Sequence, residues 1–235
     1  MLGTFIQIGA LIIAYLFGSI PIALIIGKTI KHIDIREHGS KNMGATNAFR
    51  VLGFKWGLLT FILDAIKGAI TVVFMKYIIV HFDFYNSDNF PFIINTLFYG
   101  LAAFIGHLFP IFAKFKGGKG VSTGFGAILA YAPIPSLIGL IVFLIVVGIS
   151  RIVSLASIVS FGLSPFIVWL DAILFHDHHM DWYLFITVII IALIVIIRHS
   201  ANIKRIKTHD EQLINFEAIE DESKPAFVDD ERKNK

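Results

Sequence analysis

Phosphate-binding chemistry is first indicated by a polar segment at residues 34–50. Arg36 and Arg50 stand there among small and hydroxyl residues that allow close backbone approach and offer short hydrogen-bond donors. Guanidinium groups pair with phosphate oxygens, so this first loop could form an anion site. Its candidate ligands are Ser40, Asn42, Gly44, Thr46, Asn47 and Arg50. The alternative is an ordinary turn-rich loop whose positive charges only keep it on the cytoplasmic side of the membrane, since such a loop would have a similar composition.

A second loop at residues 115–124 reads Phe-Lys-Gly-Gly-Lys-Gly-Val-Ser-Thr-Gly and precedes an apolar run. Successive glycines let backbone amides converge, and the N-terminus of a helix carries partial positive charge. Its candidate phosphate ligands are Lys116, Gly117, Gly118, Lys119 and Gly120. The spacing does not match the nucleotide-binding loop G-x-x-x-x-G-K-[ST], so nucleotide hydrolysis is not inferred. A flexible basic connector is the alternative.

Isolated polar residues inside apolar runs form a third set of candidates. Asp64 and Lys67 are three residues apart, on one face of a helix, and are interpreted as a structural ion pair. His107 and Ser154 stand near the ends of apolar runs, where either a substrate contact or a satisfied helix polar group is possible. His199 and Asn202 follow the last run at i, i+3 spacing, close to Arg205, and could point into the same site.

The segment His-Asp-His-His-Met-Asp at residues 176–181 matches H-x4-D, the acid-base motif of one class of glycerolipid acyltransferases. It also contains metal-ligand types. It has no nearby Lys or Arg, so it should lie outside, away from both basic loops. Adventitious metal affinity or a plain polar loop is therefore preferred, and no metal site is expected.

The elements that position these residues are membrane helices. Of the 235 residues, 56% are hydrophobic and only 16% are charged, and the mean hydropathy is +0.78. Soluble domains contain about 25% charged residues, so a soluble globular class is excluded. The chain has no cysteine, which excludes a disulfide framework, a thiolate metal site and thiol redox chemistry.

Apolar runs and flanking charges define the expected topology. The long runs cover residues 5–26, 56–80, 91–113, 121–148, 152–175 and 182–197. Pro133 and Pro135 interrupt the fourth run, which could therefore form either one kinked helix or two helices. Only two helices place all the basic loops on the cytoplasmic side. We therefore expect an all-α bundle of seven helical segments, with the N-terminus outside and the C-terminus in the cytoplasm. The first run has no cleavage signal and is interpreted as a retained helix.

Composition changes after Thr208, where acidic residues dominate and the apolar period ends. We expect a membrane domain at residues 1–207 and a disordered cytoplasmic tail at residues 208–235. The sequence shows no internal repeat, which weakens a transporter interpretation based on inverted halves.

The motifs resemble those of the bacterial acyl-phosphate:glycerol-3-phosphate acyltransferases, the PlsY family, in order and over nearly the whole chain to about Arg205. They are Gly18-Ser-Ile-Pro21, Asp34-Ile-Arg36, the run from Gly39 to Asn47 with Arg50, Asp64-x-x-Lys67-Gly68, Gly106-His107-x-x-Pro110, Phe115-Lys-Gly-Gly-Lys-Gly-Val121 and His199-x-x-Asn202-Ile. Lys41 departs from the pattern, since the family usually has glycine there. The acidic tail is additional.

The resemblance implies a multi-pass enzyme of the bacterial inner membrane that acylates glycerol 3-phosphate from acyl phosphate, giving lysophosphatidic acid. The expected catalytic residues are Ser40, Arg50, Lys116, His199 and Asn202, and the other candidates, apart from the structural pair Asp64 and Lys67, bind substrate. We expect no cofactor and no nucleic acid partner. The two substrates and the bilayer are the expected partners, and a monomer should suffice. The alternatives are a membrane channel or carrier for phosphate or phosphorylated solutes and, less favoured, a metal-dependent lipid phosphotransferase.

Overall fold

The computed structural model describes residues 2–81, 94–219 and 223–230. In these residues the chain is mainly helical, and each predicted apolar run contains at least one helix. The helices are α1 Leu2–Gly18, α2 Ile22–Ile26, α3 Ala45–Leu52, α4 Phe54–His81, α5 Leu97–Leu108, α6 Val121–Tyr131, α7 Pro133–Ser150, α8 Val153–Phe175, α9 Trp182–Arg198 and α10 Ser200–Lys207. Two-residue strands, β1 Leu213–Ile214 and β2 Phe227–Val228, follow.

The helix boundaries follow from local chemistry. The long fourth run is two helices, because the chain breaks at Ala132 and α7 begins with Pro133, which lacks an amide donor. Helix α6 has 11 residues, about 17 Å at 1.5 Å per residue, and is shorter than the roughly 30 Å apolar core of a bilayer. The side chain of Asp181 accepts a hydrogen bond from the Leu184 amide at 3.0 Å and caps α9.

Close helix packing buries the short helix α6. It packs against α4, and a Cβ atom at Gly126 would contact the backbone of Ala65. Membrane helices often approach each other at such small residues. In the same bundle α1 packs on α5, α7 packs on α8, and α8 packs on α9. Phe104, Val188 and Ile191 belong to the largest buried cluster and are almost completely inaccessible.

The outer surface of the bundle is apolar, as expected for a protein in lipid. Ile149 is 83% exposed and Ile197 is 68% exposed, and many other large apolar side chains are also exposed. An apolar surface of this extent indicates a membrane environment rather than water. Among the described residues, four segments are long and apolar enough to cross a bilayer, namely Gly3–Lys31, Phe54–Ile79, Pro133–Ser150 and Val153–Phe175. Helices α9 and α10, bent by 56° at their junction, would together make a fifth.

The described part of the tail differs from the predicted disorder. Strands β1 and β2 pair antiparallel, with Leu213 opposite Val228 and Ile214 opposite Phe227. Acidic composition indicated a solvated segment, but a few apolar residues of the tail pack against Phe49 and Val153 of the membrane domain. The negative stretch predicted outside the membrane before α5, with Asp83 and Asp88, lies outside the described residues.

Candidate active site

One cavity of about 350 Å³ brings together most of the predicted site residues. The first loop and α3 form part of its wall, and the end of the second loop and the junction of α9 with α10 form another part. The predicted residues that line it are Ser40, Asn42, Gly44, Thr46, Asn47, Arg50, His107, Lys119, Gly120, His199 and Asn202. These residues come from segments far apart in sequence, so the bundle assembles the site.

The first loop is shaped by two asparagine side chains. Asn47 accepts a hydrogen bond from the Ser40 amide at 2.8 Å and donates to the His38 carbonyl at 3.1 Å. Asn42 accepts a hydrogen bond from the Gly44 amide at 3.0 Å. These bonds hold the loop in a turn. Lys41 has φ of 59°, in the left-handed region, where the resemblance would place glycine.

The two arginines of the first loop have different surroundings. Arg36 is paired with the Asp34 carboxylate at 2.6 Å, and Arg36 does not line the cavity. Arg50 lines the cavity, and its Nε atom is buried without a hydrogen-bond partner among the described residues. Burial lowers the pKa of Arg50 from its usual value of 12.5, against the opposing effect of Glu211. A buried donor without a partner is available to bind an anion.

Packing explains the glycines at the start of the second loop. The Gly118 amide donates to the His107 carbonyl at 3.2 Å, and the Gly118 carbonyl accepts from Arg198 Nη2 at 3.0 Å. A Cβ atom at Gly118 would collide with the His107 ring. Gly117 and Gly118 do not line the cavity. The loop is therefore fastened between the ends of α5 and α9.

The two lysines of this loop are not equivalent. Lys116 is exposed and does not line the cavity, whereas Lys119, three residues later, does. Lys119 Nζ donates a hydrogen bond to Asn202 Oδ1. Burial lowers the pKa of Lys119 from 10.5 to about 8, although Glu211 acts in the opposite direction. Of the two predicted phosphate ligands, the structure places only Lys119 in the site.

Glu211 organises the site and was missed by the sequence prediction, which assigned it to a disordered tail. Its carboxylate accepts hydrogen bonds from Ser154 Oγ at 2.9 Å, Asn202 Nδ2 at 2.7 Å and Arg205 Nε at 2.6 Å. Burial disfavours the carboxylate, but these hydrogen bonds outweigh burial and hold the Glu211 pKa below its usual value. Ser154 contacts Glu211 and does not itself line the cavity.

Asp64 and Lys67 form a buried pair with Oδ1 and Nζ 2.9 Å apart. Lys67 Nζ also donates to the Ile20 carbonyl at 3.0 Å, and His107 Nδ1 lies 3.5 Å from Asp64 Oδ1. The pair therefore joins α4, the segment after α1, and α5. Because His107 contacts the second loop, this buried group supports the position of that loop.

His199 lies at the junction of α9 and α10 and has a defined ring orientation. Its Nδ1 atom is 2.7 Å from the Val195 carbonyl oxygen. A carbonyl can only accept, so Nδ1 must carry the proton. In the neutral ring, Nε2 is then a hydrogen-bond acceptor. A hydroxyl group of a substrate could donate to it.

The rest of the cavity wall is mainly apolar. The apolar side chains that α4 and α7 contribute are Phe54, Leu58, Phe61, Leu140, Phe143, Leu144 and Val147. The same cavity thus combines cations with a surface suited to a hydrocarbon chain.

The segment at residues 176–181 lies at the other end of α8 from Ser154, about 30 Å away at 1.5 Å per residue. Its Asp181 caps α9 and accepts a hydrogen bond from the Tyr131 hydroxyl at 2.8 Å, and His176 pairs with Asp171 at 3.2 Å. Within the described ranges, no group of three or more His, Asp or Glu side chains is arranged to hold a metal ion. The H-x4-D motif is therefore far from the cavity.

Known proteins resemble this chain over most of its length. The profile of a family described as glycerol-3-phosphate acyltransferase matches residues 8–209. A glycerol-3-phosphate acyltransferase of Chlorobium chlorochromatii (strain CaD3) is 41% identical over 227 residues, covering 88% of this chain and 96% of the relative. One of Bacillus subtilis (strain 168) is 41% identical over 206 residues, with the same coverage.

Solved structures give the same result. The crystal structure of PlsY, an integral membrane glycerol 3-phosphate acyltransferase, in its glycerol 3-phosphate form is similar with a TM-score of 0.75 and 34% identity. The match covers 91% of this chain and 98% of that one. The lysophosphatidic acid form of that protein is similar with a TM-score of 0.72 and 33% identity, covering 90% and 97%.

Proposed function

This chain belongs to the glycerol-3-phosphate acyltransferase family, and we propose that acyl phosphate is its acyl donor. It is a membrane enzyme that transfers a fatty acyl group to glycerol 3-phosphate, which begins phospholipid synthesis. We place the new ester on the 1-hydroxyl, so that the products are lysophosphatidic acid and inorganic phosphate.

The observation that carries the donor proposal is the placement of Arg50 and Lys119 in one cavity with an apolar wall. Acyl phosphate and glycerol 3-phosphate each carry a phosphate, and the acyl chain needs an apolar surface. Acyl phosphate is a mixed anhydride, so its carbonyl carbon is already activated for attack by a hydroxyl. The protein therefore mainly has to hold two phosphates and place the hydroxyl about 3 Å from the carbonyl carbon. This chemistry requires no cofactor and no nucleophilic side chain.

In the proposed reaction the 1-hydroxyl oxygen attacks the carbonyl carbon, and the bond between that carbon and the bridging oxygen breaks. Phosphate leaves with the bridging oxygen. The hydroxyl proton passes to a phosphate oxygen of a substrate, whose second pKa is near 6. His199 Nε2 accepts a hydrogen bond from glycerol 3-phosphate and orients it. Electrostatic stabilisation of the charge that develops on the donor comes from the two cations.

We propose the following roles for the site residues. Arg50 and Lys119 bind the phosphates, and Lys119 takes the role that the sequence predicted for Lys116. Ser40 and Asn202 contribute further hydrogen bonds at the cavity wall. Glu211 accepts a hydrogen bond from Asn202 and holds it in place. Its negative charge also offsets the repulsion between Lys119 and the nearby arginines.

We also propose a topology and a location. Seven segments cross or enter the bacterial cytoplasmic membrane, with the N-terminus outside, because only this arrangement places every basic loop inside. Every group assigned to the cavity comes from one chain, so a monomer is sufficient. Single cysteines at Ser40 and His178 test the orientation in intact cells. An impermeant reagent should label the cysteine at position 178 only. Labelling at position 40 instead would mean that the topology is the reverse of the proposed one.

The donor proposal is tested with purified protein in detergent. Acyl phosphate, acyl-CoA and the acyl thioester of acyl carrier protein are each supplied with glycerol 3-phosphate, and lysophosphatidic acid is measured. We expect product from acyl phosphate alone. Product from either thioester would overturn the proposed donor. A carrier, the rival function, would form no ester and would move labelled glycerol 3-phosphate into liposomes.

A further inference from the structure

The described residues 210–219 and 223–230 fold back onto the site, beyond the segment that matches the family profile. The match ends at residue 209, and the strand pair begins at Leu213. The Ile214 amide donates to the Arg151 carbonyl at 2.8 Å, and Arg151 Nε donates to the Ile214 carbonyl at 2.9 Å. Two hydrogen bonds between the same residues fix strand β1 beside the start of α8. Ile214 and Phe216 also line the cavity.

The paired strand β2 brings an aromatic ring to Arg50. Phe227 is only 8% exposed, and its ring centroid lies 4.9 Å from the guanidinium carbon of Arg50. The ring belongs to a small apolar cluster with Ala218 and Ala226, against which Phe49 and Val153 pack. Its position is therefore fixed from both sides, by the strand pair and by the membrane domain.

This contact has a direct consequence for phosphate binding. An aromatic face attracts a cation without using its hydrogen-bond donors. Arg50 therefore gains a partner on one face, while its buried Nε–H stays without a hydrogen bond among the described residues. Removing water from a cation also strengthens its attraction for an anion. The ring both fixes the guanidinium and leaves its donors for the substrate.

We propose that Phe227 is a positioning residue for phosphate binding, which acts by holding the guanidinium of Arg50 against the aromatic face that strand β2 supplies. The proposal rests on the proposed function, since it assigns the bound phosphate to a substrate. It also gives the tail a role, because without β1 and β2 the ring would not reach Arg50.

The test uses the full chain and compares Phe227→Leu with Phe227→Tyr. Leucine keeps apolar volume without an aromatic face, and tyrosine keeps the face. A cation–π contact of this kind is equivalent to about 3- to 30-fold in binding. We expect Phe227→Leu to raise KM by that factor for the substrate whose phosphate Arg50 binds, with kcat changed by less than about twofold. Phe227→Tyr should restore KM. Each substrate is varied with the other saturating, which identifies that substrate.

Two controls separate positioning from folding of the tail. Val228 is the next residue of β2 and has no aromatic ring to place against Arg50, so Val228→Ala should leave KM unchanged. In an Arg50→Lys background, Phe227→Leu should have a smaller effect than in the natural chain, because the planar guanidinium is gone. An equal effect in both backgrounds, or a KM for Phe227→Leu equal to that of the natural chain, would overturn the proposal. Failure of the donor proposal is distinct, since the unaltered chain would then be inactive with acyl phosphate.

Discussion

Replacing Lys119 with methionine, beside the matched change at Lys116, tests whether the cavity or the loop sequence decides which cation matters. Both lysines lie in one short glycine-rich loop. Methionine has an unbranched side chain of similar length to that of lysine but carries no charge. Lys119 is half-buried at the cavity and bonded to Asn202, whereas Lys116 is exposed. The sequence predicted both lysines as phosphate ligands and gave Lys116 the catalytic role, so the two interpretations predict opposite results for Lys116→Met.

The magnitude follows from the contacts. A charge-assisted hydrogen bond contributes about 1.5 to 3 kcal/mol, which corresponds to roughly 10- to 150-fold in kcat/KM. Lys119→Met would lose the proposed bond to phosphate and also leaves Asn202 Oδ1 without the hydrogen bond from Lys119. An exposed substitution usually changes a free energy by less than about 0.5 kcal/mol, so Lys116→Met should lose no more than about twofold.

The assay measures phosphate release and lysophosphatidic acid formation from acyl phosphate at several concentrations of glycerol 3-phosphate. Thermal unfolding in the same detergent shows that each variant is folded. If the Lys116→Met enzyme were the more damaged of the two, or if both lost equally little activity, the assignment of Lys119 as a phosphate ligand would be wrong.

Three further predictions follow from the same geometry. Because the pKa of Lys119 is lowered to about 8 and only its protonated form binds phosphate, kcat/KM should fall as pH rises through about 8; a flat profile from pH 7 to 9 would contradict this. Lys41→Gly should raise the Tm by about 1 to 3 °C. Glycine removes the strain of the left-handed backbone at Lys41, about 1 to 2 kcal/mol, and part of this gain is offset because glycine makes the unfolded chain more flexible. An unchanged or lower Tm would refute this prediction. His199→Gln should raise KM for glycerol 3-phosphate and keep the acidic limb of the pH profile, whereas a hundredfold loss of kcat with loss of that limb would make His199 the base.

The sequence predicted the membrane class and the helical architecture because apolar length and charge segregation act over whole segments. The break before Pro133 was equally accessible, since it depends on one residue whose chemistry forbids a continuous helix. The resemblance to the acyltransferase family is confirmed by the family profile and by relatives at 41% identity. These features do not depend on the exact direction of any side chain.

Side-chain direction explains what the sequence did not predict. Lys116 and Lys119 are the same residue type in the same glycine-rich loop, and only the folded loop, which is bonded at Gly118 to His107 and Arg198, shows that Lys119 lines the cavity and Lys116 does not. Glu211 lies in an acidic segment whose composition resembles a solvated tail. The available signal was its position just after a basic helix, where a carboxylate can pair with Arg205.

The most direct test of the central claim follows the bridging oxygen of acyl phosphate, labelled with ¹⁸O, in a reaction with glycerol 3-phosphate. Attack on the carbonyl carbon breaks its bond to that oxygen, so the label should appear in inorganic phosphate while lysophosphatidic acid carries none of it. Label found in free fatty acid, with the phosphoryl group transferred to glycerol 3-phosphate, would mean attack at phosphorus and would contradict acyl transfer from acyl phosphate.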